Sequence, residues 1–126
     1  MRYGEYEEGV KEGEWITYGA KGNILSQGRY ENGKKEGLWI LYWPNGNKKS
    51  EGNFVRGMYT GLYTAYHQNG KRFREGRYHE ITGRSTNGTK EGAWHDYAED
   101  GETRLRRMTY KHGSRAKPDE YPPFED

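Results

Sequence analysis

GLWILYWPNGNKKSEGNFVRGMYT, residues 37–60, is one of three consecutive 24-residue segments built on a single pattern. GEWITYGAKGNILSQGRYENGKKE precedes it from Gly13, and GLYTAYHQNGKRFREGRYHEITGR follows from Gly61. Aromatic residues recur in register at Trp15, Trp39 and Tyr63, at Tyr18, Tyr42 and Tyr66, and at Tyr30, Phe54 and Tyr78. Glycines recur at Gly22, Gly46 and Gly70, and again at Gly28, Gly52 and Gly76. A fixed period of this length marks a repeat architecture, in which each unit buries its apolar face by stacking on the next.

A fourth unit starts at Gly92, with Trp94, Tyr97 and Gly101 in their places, 31 residues after Gly61. The seven extra residues fall between Tyr78 and Asn87, because NGTKEG at 87–92 repeats NGKKEG at 32–37. A length change that keeps the phase on both sides is a longer loop. The chain is therefore read as one repeat domain over residues 1–126. It has a half repeat or cap at 1–12, units at 13–36, 37–60, 61–91 and 92–113, and a tail or cap at 114–126.

Only 30% of the chain is hydrophobic and 32% is charged, and valine, isoleucine and leucine together number eleven. No aliphatic core can be built from so few, and a mean hydropathy of −1.37 on its own points to disorder. Twelve Tyr, four Trp and three Phe reverse that reading. A buried ring removes roughly 150–250 Å² from water, worth at most about 4–6 kcal/mol at roughly 25 cal/mol per Å². A glycine in a strand costs about 0.5–1 kcal/mol, so a ladder of rings offsets the glycines. The chain has no cysteine, which excludes disulfides and thiolate zinc sites. No apolar run approaches the roughly 20 residues of a membrane helix, and MRYGEYEEG lacks the apolar stretch of a signal peptide. A soluble, cytoplasmic protein is the expectation. The formal net charge of +2 does not by itself point to nucleic acid.

Each unit carries two turn signals, one at Lys21-Gly22, Asn45-Gly46, Asn69-Gly70 and Asp100-Gly101, the other at Asn32-Gly33, Arg56-Gly57 and Asn87-Gly88. Asn-Gly tolerates positive φ at both central positions, as the tight type I′ hairpin turn demands. Stretches such as EWITY and LWILYW between the turns suit strands, whereas a glycine every nine residues or so disfavours helix. The predicted fold class is all-β: an elongated, twisted antiparallel meander of about nine strands, stacked as hairpins in about four units. Trp39 and Tyr42, three apart, face opposite ways in a regular strand unless the repeated glycine admits a bulge. Which ring column is buried stays open at this point. Pro118, Pro122 and Pro123 are expected to block strand addition in the tail.

Catalytic arrangements are poor. His67, His79, His95 and His112 offer no helical i, i+4 pair and no cysteine partner, which fits surface histidines of a polar repeat. Asp96, Glu99, Asp100 and Glu102 cluster near Gly101 in the manner of a calcium loop or an acid–base pair. The aligned turns read AKGN, PNGN and QNGK, however, so a solvated hairpin turn accounts for them. Asn87-Gly-Thr89 fits a glycosylation acceptor but coincides with the repeat's own turn. No enzyme activity, metal or cofactor is expected.

Binding surfaces are better sought where the period fails. Trp43 stands where the other units have Gly19, His67 and Ala98, so the architecture does not require its ring, and tryptophan is a favoured interface anchor. The inserted loop with His79, Ile81 and Arg84 also departs from the period, and insertions in repeat proteins often lie on the binding face. These four residues form the candidate protein-binding set. Arg104, Arg106, Arg107, Lys111 and Arg115 form the candidate anionic-surface set, for lipid headgroups and, less well, nucleic acid. Residues 104 and 106 share one strand face while 107 takes the other, and the acidic DEYPPFED that follows opposes the patch.

The pattern G-x-W-x-x-Y, then N-G-K, then G-x-Y-x-x-G and K-x-G, resembles the MORN repeat variant family, a branch found mostly in bacteria, through nearly the whole chain. The resemblance implies elongated antiparallel sheets of stacked hairpins that are non-catalytic and attach to proteins or, in some cases, to membrane lipid. It also implies, for some bacterial members, an antitoxin role beside a secreted toxin. This chain departs from the pattern at Gly19, His67 and Ala98, at Arg107 or Met108 in place of a second glycine, and in the inserted loop. The expected function is a non-catalytic β-repeat protein-interaction module of the antitoxin or immunity type. The alternatives are binding to an anionic lipid or nucleic-acid surface, or a purely structural spacer.

Overall fold

The computed structural model describes residues 2–81 and 88–124; Arg84 and Asn87 lie outside them. The described strands run in sequence order through one antiparallel sheet: β1 (Arg2–Glu7), β2 (Val10–Tyr18), β3 (Ile24–Glu31), β4 (Lys34–Tyr42), β5 (Lys48–Val55), β6 (Met58–Tyr66), β7 (Arg72–Tyr78), β8 (Lys90–Tyr97), β9 (Arg104–Lys111) and β10 (Ser114–Glu120). The fold is the all-β open meander that the periodicity predicts. No helix among the described residues is long and apolar enough to cross a membrane.

One strand was not expected. Residues 114–120, read from the sequence as cap, form β10, because His112-Gly113 takes the same reversing turn as the earlier hairpins. Pro118 is tolerated there because β10 pairs only with β9, and a proline on an outer strand can turn its missing N–H away from the ladder.

The two kinds of turn differ in a way that the dipeptide alone does not reveal. Asn32 (φ 53°) and Gly33 (φ 79°) are both left-handed, as are Glu8-Gly9, Arg56-Gly57 and His112-Gly113; these are the type I′ hairpins. Asn45-Gly46 belongs instead to a longer loop in which only Gly46 (φ 93°) is left-handed. Trp43 N donates to Asn47 O at 2.8 Å and Gly46 N to Trp43 O at 2.9 Å. Asn45 Oδ1 accepts from Asn47 N at 2.9 Å, a side-chain turn that suits asparagine without positive φ.

Most buried rings, Trp15, Trp39, Phe54 and Trp94, lie on one face, with buried Tyr97 on the other. Between β3 and β4 the register moves from Gln27↔Ile40 to Arg29↔Glu36, so Gly37, Leu38 and Trp39 together oppose Gly28. Gly37 (φ 74°) makes that bulge possible. The Trp39 ring then lies on Gly28, where a Cβ would sit 2.1 Å from Trp39 Cδ2, and Trp39 Nε1 donates to Arg29 O at 3.0 Å. Trp15 on Gly4 and Trp94 on Gly76 repeat the device, with 2.2 and 2.0 Å to the same ring atom. The G-x-W spacing is thus one unit: a bulge glycine, an outward residue, and a ring laid on the preceding strand's glycine.

Further rings interleave edge to face, with Tyr30 5.8 Å from Trp15 and 5.0 Å from Trp39. Lys35 Nζ lies 4.9 Å from the Trp39 ring and 5.2 Å from Phe54, its stem covering apolar surface. Around the third ring position Tyr63 replaces the Trp, and Tyr59, at the end of the second unit, replaces the Lys. Tyr59 packs on Phe54 at 4.3 Å and on Tyr78 at 4.6 Å, so bulk lost at one position returns at the other.

Candidate functional site

The second ring column lies on the opposite face. Gln27 is the neighbour of Gly28, so its side chain points away from the Trp39 ring, and its Nε2 donates to Tyr42 Oη at 3.0 Å. Tyr66 Oη donates to Glu51 Oε1 at 2.5 Å and Tyr97 Oη to Glu75 Oε1 at 2.6 Å. Gln27, Glu51 and Glu75 are themselves in phase, a regularity that reading the rings and glycines alone overlooks. Lys48 and Arg72 add ion pairs to the two glutamates at 3.2 and 3.0 Å.

These contacts move the titrations. The Tyr66 hydroxyl, with Lys48, holds the Glu51 carboxyl below its ordinary value. Burial pushes Glu75 up, but the Tyr97 hydroxyl and Arg72 outweigh it, and the net direction is down. Burial, then the Glu51 charge, pushes Tyr66 up to about 12, and burial does the same for Tyr78. A depressed carboxylate lends stability that is present above its ordinary pKa and lost as pH falls through the folded value. A raised tyrosine lends stability that is present below its ordinary pKa and lost as pH rises through the folded value. Urea midpoints are therefore expected to be flat around neutrality, to fall below about pH 4.5, and to fall again from pH 10 towards pH 12. A midpoint unchanged from pH 8 to pH 12 would contradict the tyrosine assignment.

At the end of the sheet that carries the longer loops, the Trp43 loop is tied to the His67 loop and that one to the Ala98 loop. Trp43 Nε1 donates to Tyr66 O at 3.0 Å. One unit on, His67 Nε2 bonds Tyr97 O at 2.8 Å; a carbonyl only accepts, so that nitrogen carries the proton. Asn45 and Asn47 both donate to Gln68 O, at 2.8 and 2.7 Å. Trp43 is thus half-buried and does architectural work, with Lys49 Nζ 4.9 Å over its ring. Its remaining surface lines a cleft of about 510 Å³ with Tyr66, His67, Gln68, Asn69, Phe73 and Glu99. Phe73 is the extra residue where the pairing shifts from Ala65↔Arg74 to Tyr66↔Arg72. It is 37% exposed, and its ring centre lies 5.1 Å from that of His67.

The candidate protein-binding residues are not gathered in one place. His79 and Ile81 follow β7 at the opposite end of the strands, and nine-residue β6 separates the two ends by roughly 25–30 Å at about 3.3 Å per residue. His79 Nδ1 lies 3.5 Å from Glu91 Oε2. Ile81 is buried, and its N donates to Thr60 Oγ1 at 2.8 Å. Thr60 there takes the place of Glu12 and Glu36, whose carboxylates accept Asn32 N at 2.7 Å and Arg56 N at 2.9 Å.

The candidate anionic-surface residues are largely engaged by the segment after them. Asp119 pairs with Arg106 at 3.5 Å and with Arg115 at 3.0 Å, and Glu120 pairs with Arg107. The Arg104 guanidinium lies 5.9 Å from the Phe124 ring, and Lys111 is exposed. The acidic group near Gly101 is divided as well. Asp96 is held bidentately by Arg74 at 2.6 and 2.9 Å. Asp100 is held down to about 2 by the Thr103 hydroxyl and the Thr103 and Glu102 amides of its own turn. Among the described residues no three metal-ligating side chains come together.

Residues 11–34, 35–56 and 59–80 each match the MORN repeat variant. No curated protein matches the chain. The three matched stretches take up more than half of its length and coincide with the hairpins in which Trp or Tyr rings lie on cross-strand glycines. The chain belongs to the MORN repeat variant family, whose members are non-catalytic repeat modules.

Proposed function

We propose that this chain binds another protein, as a cytoplasmic antitoxin- or immunity-type module, through the cleft between Trp43 and Phe73. The observation that carries this reading is a pair of partly exposed rings, at positions where the period demands none, above a floor of bonded loop backbone. Large rings are preferred anchors, and a floor already ordered by hydrogen bonds loses little entropy when a partner docks. Trp43 Nε1 is taken by Tyr66 O, so the partner meets the ring itself, with Gln68 and Glu99 as a polar rim. On this reading the units at 13–36, 37–60, 61–91 and 92–113 are scaffold. His79 and Ile81 supply a separate contact at the far end, to which Arg84, outside the described residues, is proposed to add. Anionic-surface binding through Arg104, Arg106, Arg107, Lys111 and Arg115 is the weaker alternative, because Asp119 and Glu120 already neutralise three of the five.

Trp43→His is the informative variant, since histidine makes the same loop bond at position 67. It is expected to leave thermal unfolding within about 4–8 °C of the native chain, the span of a 1 kcal/mol change in a small domain. Recovery of the bound partner from extracts of the chain's own cell is expected to fall at least tenfold. Equal recovery by the two chains would remove the cleft from the interface. A toxin encoded beside this gene would support the antitoxin form of the proposal, and a captured partner with no toxic activity would contradict it.

A further inference from the structure

The strand pair β9–β10 is put together unlike the others. Pairing of β8 with β9 shifts once, between Asp96 and Tyr97. Pairing of β9 with β10 shifts twice, between Arg115 and Lys117 and between Lys117 and Glu120. Pro118 brings no N–H to it, and side chains 114–118 are exposed. What holds this region is side-chain chemistry over residues 119–124. Asp119 meets Arg106 and Arg115. Tyr121 takes a hydrogen bond from Arg106 at 3.3 Å and lies 5.7 Å beneath its guanidinium. Glu120 meets Arg107, and Phe124 packs 5.6 Å from Arg107, 5.9 Å from Arg104 and 6.2 Å from the His95 ring. Consecutive carboxylates thus go to arginines 106 and 107, which project to opposite faces of β9, so the segment clasps both sides of that strand.

We propose that β9 is a docking edge for an acidic, aromatic segment of a partner protein, and that residues 119–124 occupy it in cis and are displaced on binding. An interrupted ladder costs little to release. Of the ion pairs, only those of Arg106 and Arg115 are on partly exposed arginines; Arg107–Glu120 is the more buried tie, which a partner carboxylate must replace. Release leaves β9 anchored to β8 through the buried Met108 and to residues 114–117 at its far end, and opens its outer backbone around Arg107, where Glu120 had paired, with guanidinium groups above and below. That combination suits strand addition: main-chain bonds give affinity, and alternate side chains give the choice of sequence. The partner chemistry follows from the resident occupant, two adjacent carboxylates followed by rings one and four positions on.

The test uses the full chain and a fluorescent peptide of residues 117–124, KPDEYPPF. In the full chain carrying Asp119→Asn, Glu120→Gln and Phe124→Ala, this peptide is expected to bind at least tenfold more tightly than in the native chain. Affinity is expected to weaken with salt. A peptide with Asp119→Asn and Glu120→Gln is expected not to bind. Equal affinity of native and variant chains, no binding by the variant, or equal binding of the acidic and neutral peptides would overturn the proposal. Should the triple variant lose its folded circular-dichroism spectrum, Glu120→Gln alone decides: a gain of about threefold supports the proposal, and no gain overturns it.

Discussion

Trp94→Ala is expected to destabilise the sheet by about 3–5 kcal/mol, the usual range for deleting a buried large ring, read from urea unfolding. Trp94 is the most deeply buried side chain described, at 1% exposure. Its ring touches Tyr63, Tyr78 and Tyr110 at 5.7, 5.1 and 6.3 Å between centroids, with Lys90 Nζ 5.0 Å over it. Its Nε1 also satisfies Arg77 O at 3.1 Å. Alanine leaves a cavity, an unpaired carbonyl and three rings without a common neighbour. Domains of this size hold only about 5–15 kcal/mol in total, so the variant stands close to unfolding at room temperature. A loss below 1 kcal/mol would mean that the ladder collapses around the gap and that Trp94 is not its keystone.

Gly28→Ala is expected to cost about 1–3 kcal/mol or more, in the range of overpacked cores, while Gly52→Ala costs markedly less. A Cβ at Gly28 would lie 2.1 Å from Trp39 Cδ2 and 2.3 Å from Cε2, both in a rigid, buried and hydrogen-bonded ring. At Gly52 the nearest atoms are Tyr63 Cδ2 at 3.0 Å and Tyr59 Cε1 at 3.2 Å, and a shift of a few tenths of an ångström relieves them. Gly76, 2.0 Å from Trp94, belongs with Gly28. Thermal midpoints of the three alanine variants check the ranking. Equal losses at Gly28 and Gly52 would show that the ring-on-glycine contact is not what excludes a side chain there.

The phase of the fold is legible because rings and glycines both recur at 24 residues, and glycine is needed twice for different reasons: φ at Gly37 and space at Gly28. The turn types are not legible, since Asn32-Gly33 and Asn45-Gly46 are the same dipeptide. The second lies in a loop that starts at Trp43 and closes on Asn47, and that loop, not the dipeptide, sets the backbone. β10 was hidden by its proline, which an edge tolerates. Of the cleft, only Trp43 stood out. Phe73 did not, because its place is held by Leu25, Lys49 and Leu105 elsewhere, a bulge position with no constant chemistry. His67 read as one more surface histidine, yet aligned with Trp43 it shows that this off-period position has a structural duty in two successive units. That duty is why histidine, and not alanine, separates binding from folding at Trp43.

The most direct test of the account is an equilibrium titration of the captured partner against the native chain and Trp43→His, with thermal unfolding of both chains measured alongside. Loss of a central aromatic anchor is worth roughly 2 kcal/mol or more, so binding is expected to weaken about 30-fold with the two unfolding curves nearly superimposed. Equal affinities with superimposed curves would contradict the claim that the cleft beside Trp43 is where this repeat sheet meets its partner.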